Sequence, residues 1–286
     1  MTIFHILLLA IIQGAAELLP VSSSAHVIMA EKLLGLDPTL PEMTLLLVML
    51  HTGTMFAVLV FYWKAWRTSF FRSGKEAWAF LRLLALATAL TGVVGLGLKV
   101  LIEKVVLAGK PHAEIEMIFG NLTLISASLA VVGCLIVYSG LKTHRASGQG
   151  SDPGLLGAVC MGAVQGLCLP FRGFSRSGAT ISVGLILGHG RRRVEEFSFA
   201  LAVVLTPPII AWEVHRLLKA QHAAAAGACG LRMFIPSLLG MVFSFGAGLL
   251  ALRWLSAWLE KGRWHLFGIY CLCASLLAFV LSWSGI

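Results

Sequence analysis

The sequence contains few charged residues. Aspartate, glutamate, lysine and arginine make up 12% of its 286 residues, whereas soluble domains carry about 25%. A disordered chain is also excluded, because such chains combine high charge with low hydrophobicity. Hydrophobic residues amount to 58% and the mean hydropathy is +0.89. This composition predicts an all-α polytopic membrane protein.

Three other features are absent. No two cysteines have CxxC spacing, and the six cysteines fall largely inside apolar segments, which indicates packing rather than a disulfide framework. The amino terminus lacks the basic region of a cleaved signal peptide, so we expect it to be mature structure. The net charge of +9 comes from scattered residues and not from a basic face interleaved with aromatics. Nucleic acid is therefore not an expected partner.

Long apolar stretches are what the sequence has instead. A spanning helix needs about 20 mostly apolar residues, and six segments qualify: 44–63, 77–101, 117–141, 197–218, 233–255 and 265–283. If the shorter apolar pieces are re-entrant, the basic loop residues all lie on one side, which the positive-inside rule makes cytoplasmic, and both termini face outward. Those basic residues are Lys64, Arg67, Arg72, Lys75, Lys142, Arg145, Arg191, Arg192, Arg193, Lys261 and Arg263.

Two polar runs interrupt the apolar sequence. They are "QGAAELLPVSSSAH", residues 13–26, and "QGLCLPFRGFSRSGAT", residues 165–180, and an offset of 152 positions carries Gln13 to Gln165 and Ser23 to Ser175. We interpret this as an internal repeat, about 1–143 and about 153–286, within a single membrane domain of residues 1–286. Each half then has one re-entrant helix pair and three spans. Three spans invert the second copy, so the fold is two inverted-topology repeats with a site where their broken helices meet.

The first run supplies oxygen ligands and acid–base groups. Gln13 and Glu17 share one helical face, and their oxygens suit a hard cation, Mg²⁺ or Ca²⁺. Ser23 and His26 also share a face and form a plausible nucleophile and acid–base arrangement, although capping is the alternative for the serine. Ser22 is assigned to capping or to phosphate contact. Glu17 could instead be a carboxylate paired with a neighbouring donor, but an ionisable group inside a membrane is usually functional.

The second run indicates an anion site. Arg176 stands between Ser175 and Ser177 at the expected start of a helix, where free N–H groups attract anions, and its guanidinium matches phosphate oxygens. Arg172 and Thr180 lie four residues before and after it. Two further polar residues, His51 and Thr54, either line the same cavity or serve polar packing.

These residues resemble those of a known family. "QGAAELLPVSSSAH" and "GFSRSGAT", supported by "LHTGTMFAVLVFYW" and "EEFSFALAVVLTPP", are similar to the signatures of bacterial undecaprenyl-pyrophosphate phosphatases of the bacitracin-resistance type. The resemblance implies hydrolysis of an isoprenoid pyrophosphate lipid to undecaprenyl phosphate and phosphate, which recycles the carrier for cell-wall synthesis. It also implies a multi-pass protein of the bacterial inner membrane with its site toward the outer, periplasmic face, and it leaves a homodimer open.

The resemblance assigns roles residue by residue. Glu17, Ser23, His26 and Arg176 become the catalytic set, with Gln13 and Glu17 at a divalent cation, Mg²⁺ or Ca²⁺. The nucleophile remains open between Ser23, His26 and water. The phosphate-binding set is Ser22, Arg172, Ser175, Ser177 and Thr180.

The sequence departs from the family pattern at three positions. Arg172 replaces a usual proline, Ala25 a usual glycine, and Cys271 the arginine of a common Tyr-Arg pair. A different class of function also fits inverted repeats, namely a transporter or flippase of a phosphorylated isoprenoid lipid. The joint presence of a hydroxyl, an imidazole, a carboxylate and a guanidinium favours hydrolysis.

Overall fold

A computed structural model of the chain describes residues 2–36, 41–106, 115–144, 151–223 and 231–284. Within these ranges the protein is helical and forms no β-sheet, which confirms the all-α prediction. Two short helical turns, Ile102–Val106 and Ile115–Ile118, lie between α4 and α5. The ten α-helices are α1 (Ile3–Leu18), α2 (Ser23–Leu33), α3 (Pro41–Ser69), α4 (Gly74–Leu101), α5 (Leu122–His144), α6 (Leu155–Cys168), α7 (Arg176–Ile186), α8 (Arg191–Ala223), α9 (Leu231–Glu260) and α10 (Trp264–Trp283).

Among the described residues, five helices are long and apolar enough to cross a membrane: α3, α4, α5, α9 and α10. They coincide with five of the six predicted spans, which confirms a multi-pass membrane protein. The sixth predicted span, 197–218, lies within α8, which is not among these five helices. The described part of the chain therefore supports the coarse architecture that hydropathy predicts.

Both predicted breaks lie between short helices. The helix α1 ends at Leu18, two residues before Pro20, and α2 begins at Ser23. The helix α6 ends at Cys168, two residues before Pro170, which cannot donate to a helix from its ring nitrogen. The second break contains Gly173 with a φ of 100°, a left-handed conformation that favours glycine.

Two glycines allow the short helices to pack closely against long ones. A Cβ on Gly14 of α1 would lie 2.6 Å from the Ser244 carbonyl oxygen of α9. A Cβ on Gly166 of α6 would lie 2.6 Å from Val94 Cβ of α4. Because neither position has room for a side chain, α1 packs on α9 and α6 packs on α4, and each break is held at a fixed depth in the bundle.

The basic helix ends gather at one end of the bundle. Arg191 donates to the carbonyl oxygens of Thr143, at the end of α5, and Glu260, at the end of α9. Lys142 donates to the Ile186 carbonyl at the end of α7. The Arg193 guanidinium lies 5.7 Å from the centre of the Phe70 ring, just after α3. Arg145 lies outside the described residues.

Candidate active site

The two breaks meet around one pocket of about 210 Å³. Its walls come from the end of α1, the start of α2, the start of α7 and the break before it, with single contributions from α3 and α8. Seven of the predicted site residues line it: Glu17, Ser22, Ser23, Arg172, Ser175, Arg176 and Ser177. Three do not: Gln13, His26 and Thr180.

Glu17 lies at the centre of a set of donors. Its Oε1 accepts from Arg176 Nη2 at 2.8 Å, and its Oε2 accepts from Ser23 Oγ at 2.5 Å and Gln13 Nε2 at 3.1 Å. The side chain is 14% exposed. A carboxylate this deeply buried is tolerated because it is both paired with a charge and hydrogen-bonded.

Arg176 is the first residue of α7, so the guanidinium and the helix N-terminus lie together. Ser175 caps the helix, because its hydroxyl accepts from the backbone N–H of Gly178 at 3.2 Å. Ser177 donates to the Leu19 carbonyl of the first break at 3.4 Å. Arg176 uses one nitrogen for Glu17 and keeps further N–H donors for a ligand, as the five-donor guanidinium allows. The arrangement suits a phosphate group.

Ser23 opens α2 beside a strained residue. Ser22 has a φ of 67° and is the one residue other than glycine with a positive φ among those the structure describes. Although Ser22 is the N-cap of α2, its side chain makes no capping hydrogen bond. The turn instead directs the hydroxyl of Ser23 at Glu17, which places a candidate nucleophile against a candidate base.

His26 is not among the residues that line the pocket. Its Nδ1 lies 2.8 Å from the Ser22 carbonyl oxygen, and its Nε2 lies 2.8 Å from the hydroxyl of Tyr270 on α10. Sequence reasoning placed His26 and Ser23 on one helical face, but the two side chains have different partners: Ser23 contacts α1 and His26 contacts α10. Both ring nitrogens of His26 are already hydrogen-bonded.

His51 is the histidine that lines the pocket. Its Nδ1 lies 2.8 Å from the Leu47 carbonyl oxygen, which can only accept, so Nδ1 carries a proton. Its Nε2 lies 3.8 Å from Glu17 Oε2. The signal that favours His51 over polar packing is its position within a membrane span, where ionisable residues usually face a cavity. Thr54 instead donates to the His51 carbonyl.

Arg172 lines the pocket from the second break. Its guanidinium lies 4.4 Å from the centre of the Phe119 ring, a cation–π distance. Glu31 of α2 is 4% exposed and also interacts electrostatically with this arginine. The pocket therefore has two guanidinium groups, of which Arg176 is hydrogen-bonded to Glu17.

Thr180 is buried between helices. Its hydroxyl donates to the Arg176 carbonyl at 2.8 Å and lies 2.6 Å from the hydroxyl of Ser198 on α8. It therefore contacts the backbone of the arginine rather than the pocket. Gln13 is also buried behind the pocket. It is 1% exposed, and its hydrogen bond to Glu17 connects it to a residue that lines the pocket.

The oxygen donors around Glu17 partly meet the needs of a hard cation. Among the described residues no group of three His, Cys, Asp or Glu side chains is arranged for a metal ion. The oxygens of Glu17 and Ser23 nevertheless have the right chemistry, whereas Gln13 presents its Nε2 to Glu17 and does not line the pocket. Mg²⁺ is often held by one or two carboxylates together with substrate phosphates. The residues fit a cation that a pyrophosphate helps to bind.

Known proteins resemble the chain over almost its whole length. A family model described as bacitracin resistance protein BacA matches residues 6–277. The chain is 57% identical over 289 residues to undecaprenyl-diphosphatase 2 of Acinetobacter baylyi, which covers 99% of each chain. It is 30% identical over 287 residues to undecaprenyl-diphosphatase of Rhodopirellula baltica, with 98% of each chain covered. The chain therefore belongs to the bacitracin resistance protein BacA family.

Proposed function

We propose that the protein is an undecaprenyl-diphosphatase, an integral membrane hydrolase that converts undecaprenyl pyrophosphate to undecaprenyl phosphate and inorganic phosphate. The observation that carries the proposal is the pairing of Glu17 with both Ser23 and Arg176 in one pocket. A hydroxyl beside a base and a guanidinium beside a helix N-terminus are the groups that phosphoryl transfer needs. The names of the relatives agree with this chemistry.

In the proposed reaction the terminal phosphate of the substrate binds at the start of α7. Arg176 and the backbone N–H groups beside it stabilise the negative charge that the transition state spreads over the phosphoryl oxygens. Ser23 Oγ attacks the phosphorus as its proton passes to Glu17. The bond from phosphorus to the bridging oxygen breaks, and undecaprenyl phosphate leaves. Water then hydrolyses the phosphoserine, which releases phosphate and restores the Ser23 hydroxyl.

The side chains around Ser23 favour it as the nucleophile over His26. Both nitrogens of His26 already have partners and neither lines the pocket, whereas Ser23 lies 2.5 Å from a carboxylate oxygen. His51 Nε2 is the imidazole nitrogen nearest the reacting groups, and we assign it contact with the bound phosphate. Direct attack by water remains the competing route, and it would leave Ser23 as a hydrogen-bonding aide.

A divalent cation belongs to the proposal. Glu17 and Ser23 would contribute oxygens to it, and when bound it would offset the charge of the pyrophosphate. The substrate would supply the remaining ligands, since the chain offers one carboxylate there.

The finer topology is also proposed: two inverted repeats, each with a re-entrant helix pair and three spans. The helix lengths support it, because 16, 11, 29, 28 and 23 residues in α1 to α5 are followed by 14, 11, 33, 30 and 20 in α6 to α10. The two tight glycine contacts support it too, since Gly14 on α9 and Gly166 on α4 are related by the offset of 152.

The orientation follows from the charges. If the gathered basic ends face the cytoplasm, the α1–α2 pair enters from the outside, and the pocket is reached from the outer face of the inner membrane. The transporter alternative is not favoured, because the relatives are named as diphosphatases and the pocket contains a complete set of hydrolytic groups.

The direct test is release of inorganic phosphate from undecaprenyl pyrophosphate by the purified protein in detergent. We expect turnover that Ser23→Ala and Arg176→Ala both abolish. As a matched control, Ser128→Ala removes a hydroxyl that donates to the Leu124 carbonyl within α5 and does not line the pocket. An intact wild-type protein that binds the lipid but releases no phosphate would overturn the proposal.

A further inference from the structure

The last helix contacts the first break at two adjacent residues. Tyr270 of α10 lies with its hydroxyl 2.8 Å from His26 Nε2. Its neighbour Cys271 donates from Sγ to the Pro20 carbonyl at 3.2 Å. Two groups, the Pro20 carbonyl of the break and the His26 ring at the start of α2, are thus connected to α10, although 244 positions separate Tyr270 from His26. Neither α10 residue lines the pocket.

The hydrogen bonds of His26 have a defined direction. The Ser22 carbonyl can only accept, so the Nδ1 that faces it carries the proton. Nε2 of the neutral ring then has a lone pair, and the hydroxyl of Tyr270 donates to it. The two rings are also stacked, with centroids 5.6 Å apart and planes 14° from parallel. The Ser22 carbonyl therefore sets the tautomer of the imidazole, and Tyr270 holds its orientation.

Ser22, whose carbonyl accepts the hydrogen bond from His26 Nδ1, is the strained residue of the site. Ser22 has a φ of 67° and a ψ of 95°, a conformation that L-residues other than glycine adopt only when their surroundings impose it. The N–H of His26 Nδ1 holds the Ser22 carbonyl, and the next residue along the chain is Ser23, whose hydroxyl contacts Glu17. A rotation of the Ser22 peptide would move Ser23 away from the carboxylate.

We propose that Tyr270 is a positioning residue, which acts through the imidazole of His26 on the Ser22 carbonyl and so holds Ser23 against Glu17. The inference rests on the proposed function, since it concerns the placement of that reaction's nucleophile. It gives His26 a positioning role as well, because the ring has no free nitrogen to offer the substrate.

The first test removes one hydroxyl. Tyr270→Phe keeps the stacked ring and loses the donor to Nε2, so we expect kcat to fall about tenfold, the rate equivalent of one well-placed hydrogen bond. KM should stay within about twofold, because the phosphate-binding groups are untouched. Tyr138→Phe is the matched control: Tyr138 is an exposed tyrosine on α5 with no hydrogen bond among the described residues, and the variant should match wild type.

The second test separates positioning from proton transfer at His26. The amide nitrogen of asparagine is as many bonds from the backbone as Nδ1, so His26→Asn can still donate to the Ser22 carbonyl but cannot exchange a proton with the substrate. We expect it to retain at least about tenfold more kcat than His26→Ala. Adding Tyr270→Phe to His26→Asn should change nothing further, because the interaction between the two sites is already lost.

The ¹⁵N chemical shifts of His26 give a readout that does not depend on turnover. Wild type should show a protonated Nδ1 and an unprotonated, hydrogen-bonded Nε2, and Tyr270→Phe should shift the Nε2 resonance. The proposal is overturned if Tyr270→Phe keeps wild-type kcat, or if His26→Asn is as inactive as His26→Ala while its backbone fold is intact. Absence of phosphate release in wild type would instead contradict the proposed function.

Discussion

Glu17 and Arg176 are 159 positions apart in the chain, and their side chains meet at 2.8 Å. Glu17 is the penultimate residue of α1, the first helix of one short pair, and Arg176 is the first residue of α7, the second helix of the other pair. Their contact joins the two breaks, and neither half of the chain contains a complete site without the other.

Replacing Glu17 should abolish phosphate release. In Glu17→Ala the hydroxyl of Ser23 loses its acceptor, and in Glu17→Gln it keeps an acceptor but loses its base. Arg176 loses its counter-charge in both variants, so we expect kcat to fall by about 10²-fold or more. Insertion and purification should remain normal, because the residue lies at the pocket wall and not in the apolar core. Gel-filtration profiles and phosphate release measure the two effects. Near-wild-type turnover would remove Glu17 from the mechanism.

The two arginines of the pocket should differ in kinetic effect. Arg176→Ala should lower kcat by about 10²-fold or more, because this guanidinium stabilises charge that develops in the transition state. Arg172→Pro, which restores the usual family residue, should raise KM with little change in kcat, since Arg172 binds ground state and transition state alike. Arg172→Gln tests the same point without a backbone change. A severe loss of kcat in Arg172→Gln would make it catalytic, and an unchanged KM would make it structural.

His51→Gln should lower kcat by about tenfold, as expected when one contact to the reacting phosphate is lost. The neighbouring Thr52→Ala is the control, because the Thr52 hydroxyl bonds back to the Val48 carbonyl and does not line the pocket. Steady-state phosphate release by both variants checks the difference. Equal activity of His51→Gln and wild type would show that the imidazole only lines the wall.

Removal of divalent cations should inactivate the enzyme, and Mg²⁺ or Ca²⁺ should restore it. The oxygens of Glu17 and Ser23 suit hard cations, and a pyrophosphate adds the ligands that the chain lacks. Phosphate release is measured after treatment with excess chelator and after addition of each cation. Full activity in chelator would leave Arg176 and the α7 N-terminus to offset the substrate's charge alone.

The orientation predicts which sites an impermeant thiol reagent reaches from outside intact cells. In a chain without its native cysteines, Gly120→Cys should label, since this residue precedes α5 and a Cβ there meets no neighbour. Lys75→Cys and Arg192→Cys should label only after permeabilisation. Labelling of either cysteine in intact cells would contradict the assignment of the basic ends to the cytoplasm.

Much of the fold could be predicted from the sequence because its signals are local. Twenty-residue apolar runs locate the spans, and Pro20 and Pro170 locate the breaks that follow α1 and α6. Each of these follows from the chemistry of a few consecutive residues. The offset between the two runs then predicts, from the sequence alone, that Glu17 and Arg176 lie in the same region.

Side-chain direction could not be predicted, because it depends on distant helices. The partner of His26 is Tyr270, far along the chain on α10, and nothing near residue 26 indicates it. Thr180 lies one turn beyond Arg176, a spacing that suggests a shared ligand. Its hydroxyl instead forms a hydrogen bond with the hydroxyl of Ser198 on α8. The position of His51 in the pocket could be predicted only if the side of α3 that faces the break were known. Periodicity gives the face of a helix, and only packing shows what that face meets.

The contact between Glu17 and Arg176 also imposes an order on biosynthesis. At about 5–20 residues per second, a ribosome needs roughly ten to thirty seconds to travel the 159 positions between them. During that interval the first helix pair is already synthesised while its carboxylate has no arginine. A buried, unpaired carboxylate is costly in an apolar medium. The newly made α1–α2 pair is therefore more stable near the aqueous surface, or beside the insertion machinery, until α7 has been synthesised. Assembly of the catalytic centre is then a late event in the maturation of the protein.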